Sequence, residues 1–581
     1  MPKLEKQEAI PTQWDSQISL LAWLAACVSV LSFLFYFQRG EILLYGDAVA
    51  HINIARRVFD SKTPGPLQLG TVWLPLPHLL MIPFLISMKM WRTGAGGSIP
   101  SMAAYVFGVV GIFRLTRSAL SAETRTDRLA SLAAWFAAAI YAANPNLIYM
   151  QSTAMGESIY LAFFIWSVAY FTDAVRGDTK GFTKCACCLA GACLTRYDGW
   201  FLAAAIAAVV LIDTFRSESW FRFTGVDGGV LRSSEGVRAA LQGRVTRTEK
   251  KGASAPRVQR VKFVLIAAAA PALWLAYNGI VYRNPLEFAN GPYSAKAIEK
   301  KTQSAGNPGH PGSGNLAVSE LYFLKAAQNN VAENQWLRRA WALLLFFAIV
   351  ASLILWRQQI TETFSPGPLL FLLVPVPFYA LSIAYGGVPI FIPQWWPFTH
   401  YNTRYGLQLL PAFSVALAVL MYASIRSIPE ARLRMASALV LVAFVAASYT
   451  SVWRSGPITL QEAQINMRTR NQLEEELAVW LEHLPGNTTL LMYLGDHVGA
   501  VQRAGVPLSR TINEGNHRVW KQPIDPEGLW ERALANPSQY ADYVLAFEGD
   551  PVWKAVHDLK LQEIVDIHVS GQARAVLYRA R

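Results

Sequence analysis

Cysteine is scarce in this chain: five stand among 581 residues, and none lies beyond Cys193. Four of them (Cys185, Cys187, Cys188 and Cys193) share one apolar stretch without paired ligand spacing. They read as buried thiols, so neither a disulfide framework nor a zinc site is expected. Charge is scarce as well. Asp, Glu, Lys and Arg make up 16% of the residues, against roughly 25% in a soluble domain. Little charge together with 12% aromatic residues excludes a disordered chain, and an ordinary cytosolic enzyme is disfavoured. What is present instead is apolar: 53% hydrophobic residues, a mean hydropathy of +0.25, and 19 Trp, 22 Tyr and 29 Phe. The net charge of +13 fits either a nucleic-acid partner or the cytoplasmic loops of a membrane protein, and its distribution separates the two.

A helix needs about 20 apolar residues to cross a hydrocarbon core. Eleven windows are read as crossings: 18–37, 100–115, 129–150, 159–175, 182–195, 200–215, 263–282, 337–356, 368–385, 405–425 and 435–453. The first follows Lys3 and Lys6 and has no small-residue cleavage site, so it reads as a retained anchor. Residues 72–90 are also apolar, but Pro75, Pro77 and Pro83 interrupt them, and a re-entrant or interfacial segment is expected. Residues 216–262 hold eleven Lys/Arg against four Asp/Glu, which places them in the cytoplasm. Arg114, Arg117, Arg125 and Arg128 mark a second inner loop, and Arg426, Arg432 and Arg434 a third. The N-terminus is then inside, the C-terminus outside, and the bacterial inner membrane is the expected location. From Arg454 onward the tail has thirteen Lys/Arg and sixteen Asp/Glu. The positive excess belongs to the membrane part, and nucleic acid is dropped as a partner.

The tail reads as a small α/β domain. Residues 490–494 and 543–547 are strand-like, each followed by a Gly-Asp turn; 526–535 read as a helix and 564–568 with 573–578 as a closing hairpin around Gly571. Residues 455–460 are taken as a linker, and 471–484 as an amphipathic helix with an acidic face. The expected fold class is thus a polytopic α-helical membrane protein, residues 1–454, carrying an extracytoplasmic α/β domain, residues 455–581.

The polar loops with chemical content all fall on the outer side. Asp47 stands at the head of a short amphipathic helix, with His51 four residues on along the same face. The plainer reading is a helix N-cap; the functional one is a general base with a histidine beside it. Glu157 stands at the edge of an apolar span, where an acid is costly unless it caps, pairs or serves a site. Arg196 and Asp198 break two apolar stretches and read either as a structural pair or as part of a site. His400-Tyr401-Asn402-Thr403-Arg404-Tyr405 follows an aromatic-proline run that fits an interfacial belt. Arg404 is less at home there, because an outer arginine runs against the positive-inside trend and suits a phosphate.

This arrangement resembles the membrane-embedded GT-C glycosyltransferases, the superfamily of protein O-mannosyltransferases and of the aminoarabinose transferase of lipid A. The resemblance is carried by Gly46-Asp47-Ala48 with His51 and Ala55-Arg56, Pro145 with Glu157, the Thr195–Gly199 run (Thr-Arg-Tyr-Asp-Gly), and Arg404-Tyr405 with Pro411, over roughly residues 15–425. It implies a GT-C-like fold, Asp47 as the catalytic base, and a sugar on a polyprenyl or dolichyl phosphate as donor. It further implies substrate binding by His51, Glu157, Arg196, Asp198, Tyr401, Asn402, Arg404 and Tyr405, with Arg404 best placed for the phosphate and Arg196 second. Members often carry a second acid beside the first; here that position is Ala48. The implied partners are the lipid-phosphate sugar, membrane lipids and an acceptor glycan, lipid or protein. No cofactor is named, and a divalent cation stays open.

Other signals are set aside. Asp496, His497, Glu514 and His517 fit turn chemistry better than a metal site, and residues 306–314 are either a lid or a connector. A transporter or flippase is the competing class, but it calls for acids within spans and for two similar halves. Here acids gather at the outer ends of the spans.

Overall fold

The computed structural model describes residues 16–120, 127–215, 247–304, 309–357, 367–495, 497–516 and 527–581. Lys3, Lys6, Arg125, Asp496, His517, residues 216–246 of the basic loop and residues 306–308 lie outside them. Eight described helices are long and apolar enough to cross a membrane: Ser16–Gln38, Ala95–Leu120, Glu157–Val175, Val258–Val281, Gln335–Arg357, Pro368–Tyr385, Thr403–Ser427 and Ala431–Glu482. The apolar part of the last is the helix Ala431–Ser455. The chain is an integral membrane protein.

Of the other three windows read as crossings, two lie on shorter helices and the third on a helix as long as Pro368–Tyr385. Arg128–Ala142 and Thr179–Cys193 have 15 residues each and Asp198–Phe215 has 18. Fifteen residues rise roughly 22 Å, short of a hydrocarbon core of about 30 Å. The window 129–150 is cut because Asn144 caps a new helix, Pro145–Gln151, with its side chain accepting from Leu147 N. Residues 72–90 form the short helices Leu76–Leu85 and Met88–Thr93. Leu76–Leu85 rises about 15 Å and does not span.

Two spans are central and the rest wrap them. Glu157–Val175 and Thr403–Ser427 are each 72% buried, while Ser16–Gln38 is 17% buried and Val258–Val281 22%. The two central helices both begin at the same end of the bundle, where Glu157 and Arg404 stand in their first turns. At their far ends Arg114 pairs with Asp173 at 2.9 Å, and Arg426 closes Thr403–Ser427.

The expected linker 455–460 shrinks to Gly456 and Pro457. Gly456 has φ +84°, and a helix resumes at Ile458 and runs to Glu482. Beyond it a five-stranded sheet has the order β2-β1-β3-β5-β4, with β1 Leu490–Met492, β2 Thr511–Ile512, β3 Tyr543–Phe547, β4 Gln562–Ile567 and β5 Ala575–Arg579. β1 runs parallel to β2 and β3; β5 runs antiparallel to β3 and β4. Successive side chains alternate between faces. Leu490, Met492, Leu545 and Leu577 therefore pack with Leu473, Leu477 and Leu481 of the helix Ile458–Glu482, while Leu491, Val544 and Ala546 pack with Trp530 and Val552 on the other side. The tail docks on the segment that follows the first span: Asp60 accepts from Ser509 N at 3.0 Å, and Asn53 Nδ2 donates to Gln502 Oε1 at 3.1 Å.

Candidate active site

Asp47 lies in the first turn of the helix Gly46–Arg57, but it does not cap it. The N-cap is Tyr45, which makes no side-chain capping bond. The carboxylate goes instead to Arg404, whose Nη2 donates to Asp47 Oδ2 at 2.5 Å. Arg404 is a three-way junction. Its Nε donates to Glu157 Oε1 at 3.1 Å and its Nη1 to Glu462 Oε1 at 2.9 Å. Glu157 also receives Arg196 Nη1 at 3.2 Å, and Arg196 Nε lies 3.3 Å from Asp198 Oδ1. Tyr379 closes the network, accepting from Arg196 Nη2 at 3.0 Å and donating to Asp198 Oδ2 at 3.2 Å.

Four carboxylates thus surround two guanidiniums. Buried charges persist only when paired and hydrogen-bonded, and the side chains of Glu157 and Glu462 are 2% and 1% exposed. Asp47 differs: its side chain is 39% exposed. It is the solvent-open end of the network. The arginines are also held over aromatic faces, Arg196 4.7 Å from the Tyr405 ring and Arg404 5.0 Å from Tyr45, as cation–π attraction favours.

The remaining expected residues are spread around this centre. Asn402, at φ +56°, donates its backbone N–H to Glu462 Oε1 at 3.0 Å and its Nδ2 to Pro389 O. Tyr401 pairs by backbone with Phe391 and is half-exposed. His51 is not bonded through Nδ1 to Asp47; that nitrogen meets His78 Nε2 at 2.8 Å, beneath Trp73. Burial lowers the pKa of His51 and drives that of His78 well below the usual histidine range, so the pair is neutral at pH 7. Arg196 with Asp198 is both a structural pair and part of the cluster.

Glu462, Tyr379 and His78 were not expected from the sequence. Glu462 sits in a helix read only as acidic and amphipathic from residue 471. Its signal is the apolar face on which it falls, with Thr459, Ala463 and Met467 buried beside it. Tyr379 lies inside a span, and His78 in a proline-broken segment. Among the described residues, no group of three or more His, Cys, Asp or Glu is arranged to hold a metal ion. Glu514 accepts backbone N–H groups from Leu494 and Gly495, which is turn chemistry. Of the glycine-rich loop, His310 is pinned, its Nε2 2.9 Å from Ile390 O.

No protein-family model matches the chain, and no curated protein matches it in sequence. Solved structures do. ArnT from Cupriavidus metallidurans bound to undecaprenyl phosphate superposes with a TM-score of 0.52 and 12% identity, over 97% of this chain and 98% of that one. The apo state of the same protein gives 0.51 and 14% over the same shares. The oligosaccharyltransferase of Archaeoglobus fulgidus in the apo form gives 0.46 and 12%, over 91% of this chain and 69% of that one. The chain shares the fold of ArnT along nearly its whole length.

Proposed function

We propose that this GT-C-fold chain is an inverting glycosyltransferase that moves a sugar from a polyprenyl-phosphate carrier to an acceptor hydroxyl on the extracytoplasmic face. One observation carries the reading: Asp47 is the exposed terminus of an otherwise buried ion-pair network. In the reaction, Asp47 takes the proton of the acceptor hydroxyl as its oxygen bonds to the anomeric carbon. The bond from that carbon to the phosphate oxygen breaks, and its electron pair leaves with the phosphate. A phosphate needs no proton to depart. A single carboxylate therefore suffices, where a glycosidase uses two because an alkoxide must be protonated. Attack opposite the leaving group inverts the anomeric carbon.

We assign the two arginines in the other order. Arg404, with its side chain 7% exposed and three carboxylates on its three nitrogens, serves Asp47 first. Arg196, 19% exposed, is the more open guanidinium and is assigned to the phosphate side, where fixed positive charge stabilises the leaving group. The undecaprenyl phosphate in the ArnT structure of the same fold supports a polyprenyl carrier. Asp47→Asn tests the assignment, since loss of a positioned base costs about 10²- to 10⁴-fold. Transfer should fall by that factor with the melting temperature unchanged. Wild-type turnover by a folded Asp47→Asn protein would remove Asp47 from the mechanism.

A further inference from the structure

We infer that Glu462 is a positioning residue of this site, steering the Arg404 guanidinium onto Asp47 and thereby making the helix Ile458–Glu482 part of the catalytic apparatus. The inference rests on Asp47 being the base.

Glu462 is 1% exposed, and a carboxylate is tolerated at that depth only when donors surround it. Its Oε1 accepts from Asn402 N at 3.0 Å and Arg404 Nη1 at 2.9 Å; its Oε2 accepts from Thr403 N at 2.7 Å and Thr403 Oγ1 at 2.6 Å. Four donors on two oxygens fill what a carboxylate can accept. Three of the four belong to the two residues immediately before Arg404, so Glu462 holds both the backbone that carries the arginine and its side chain.

The guanidinium is a rigid planar fork. One contact would leave it free to turn. Two contacts, Nε to Glu157 and Nη1 to Glu462, fix its plane and leave Nη2 pointing at Asp47. The same helix also reaches the turn that carries Asp47. Tyr45 Oη donates to Thr459 O at 2.8 Å, and Thr459 N and Oγ1 each donate to Asn146 Oδ1 at 3.0 Å. The Arg470 guanidinium of the same helix also reaches this turn, its Nη1 lying where a Cβ on Gly46 would come within 2.6 Å. The helix Ile458–Glu482 thus clamps both partners of the Asp47–Arg404 pair.

Fold stability alone does not call for such an acid, because well-packed apolar residues often replace buried ion pairs without loss. A positioning role makes a different prediction: Glu462 matters only while the fork is there to be aimed. The full chain in nanodiscs is assayed for transfer from a polyprenyl-phosphate sugar, comparing Glu462→Gln, Glu462→Asp, Arg404→Lys and the double variant Glu462→Gln/Arg404→Lys. A misplacement near 1 Å costs on the order of 10²-fold. Glu462→Gln should lower kcat by about 10- to 100-fold with the donor KM little changed, and Glu462→Asp should restore part of the loss. The double variant should be no slower than Arg404→Lys alone, the non-additivity of groups that act as a unit. Full kcat in Glu462→Gln, or losses that multiply in the double variant, would overturn the inference. If Glu462→Gln does not fold, Glu462→Asp decides by the same split of kcat from KM, since it keeps the charge and withdraws it by one methylene. Asp47→Asn, run in parallel, separates the two ideas: an active Asp47→Asn with non-additive Glu462 and Arg404 would leave the coupling standing and dismiss the base.

Discussion

Arg404 brings one positive charge to three carboxylates, and that imbalance is what makes the residues around it interpretable. Asp47, Glu157, Arg196 and Arg404 were legible in the sequence because each is a charge at the edge of an apolar run, where it must be paired or used. Glu462 was not, because a glutamate in a polar helix is ordinarily a solvated one and only its burial gives it away. His78 was hidden for a related reason: nothing near residue 78 announces that the chain folds back to His51. This pair carries its own prediction. Burial lowers the pKa of His51 and takes that of His78 well below the usual histidine range in the folded protein, while the unfolded chain protonates below about pH 6.5. Below that pH the unfolded state binds more protons than the folded one, so stability falls as pH falls. The melting temperature should drop on acidification from about pH 7 to about pH 5, and His78→Gln should flatten that slope. An identical slope in a folded His78→Gln protein would show that the pair does not govern it.

The elements differ in how openly the sequence declares them. Long apolar helices such as Ser16–Gln38 and Gln335–Arg357 are plain from hydropathy. The window 129–150 is cut short, and hydropathy alone cannot see why: Asn144-Pro145 ends one helix and caps the next. The tail's strands were found as short apolar runs bounded by glycine turns, except β2, whose two residues leave no run to find. The close packing of elements is equally invisible in the sequence. Gly406 passes the helix Leu316–Asn329 so tightly that a Cβ there would lie 2.5 Å from the Ala326 carbonyl carbon and the Ala327 nitrogen. Gly406→Ala must push backbone against backbone, a cost of about 1–3 kcal/mol, and it displaces the segment that carries Arg404. A lower melting temperature together with a lower kcat is expected in thermal-shift and transfer assays. Unchanged values for both would mean that the crossing is looser than drawn.

At the scale of the whole molecule, the scarcity of charge turns into placement. The two most buried spans start side by side, and their first turns bring Glu157 and Arg404 together with Asp47 from separate loops; the tail's helix returns across them. At the opposite ends of the same helices, Asp173 pairs with Arg114 of the helix Ala95–Leu120, and Arg426 stands in the last turn of Thr403–Ser427. Such a bundle could in principle pass a lipid-linked sugar across the membrane instead of transferring it, and one measurement separates these outcomes. Purified protein in liposomes is given a radiolabelled polyprenyl-phosphate sugar with membrane acceptors, as wild type and as Asp47→Ala. Wild type should release free polyprenyl phosphate and place the label covalently on an acceptor, with inverted anomeric configuration, and Asp47→Ala should do neither. Label that crosses the bilayer still attached to its carrier, equally in both proteins, would contradict the transferase.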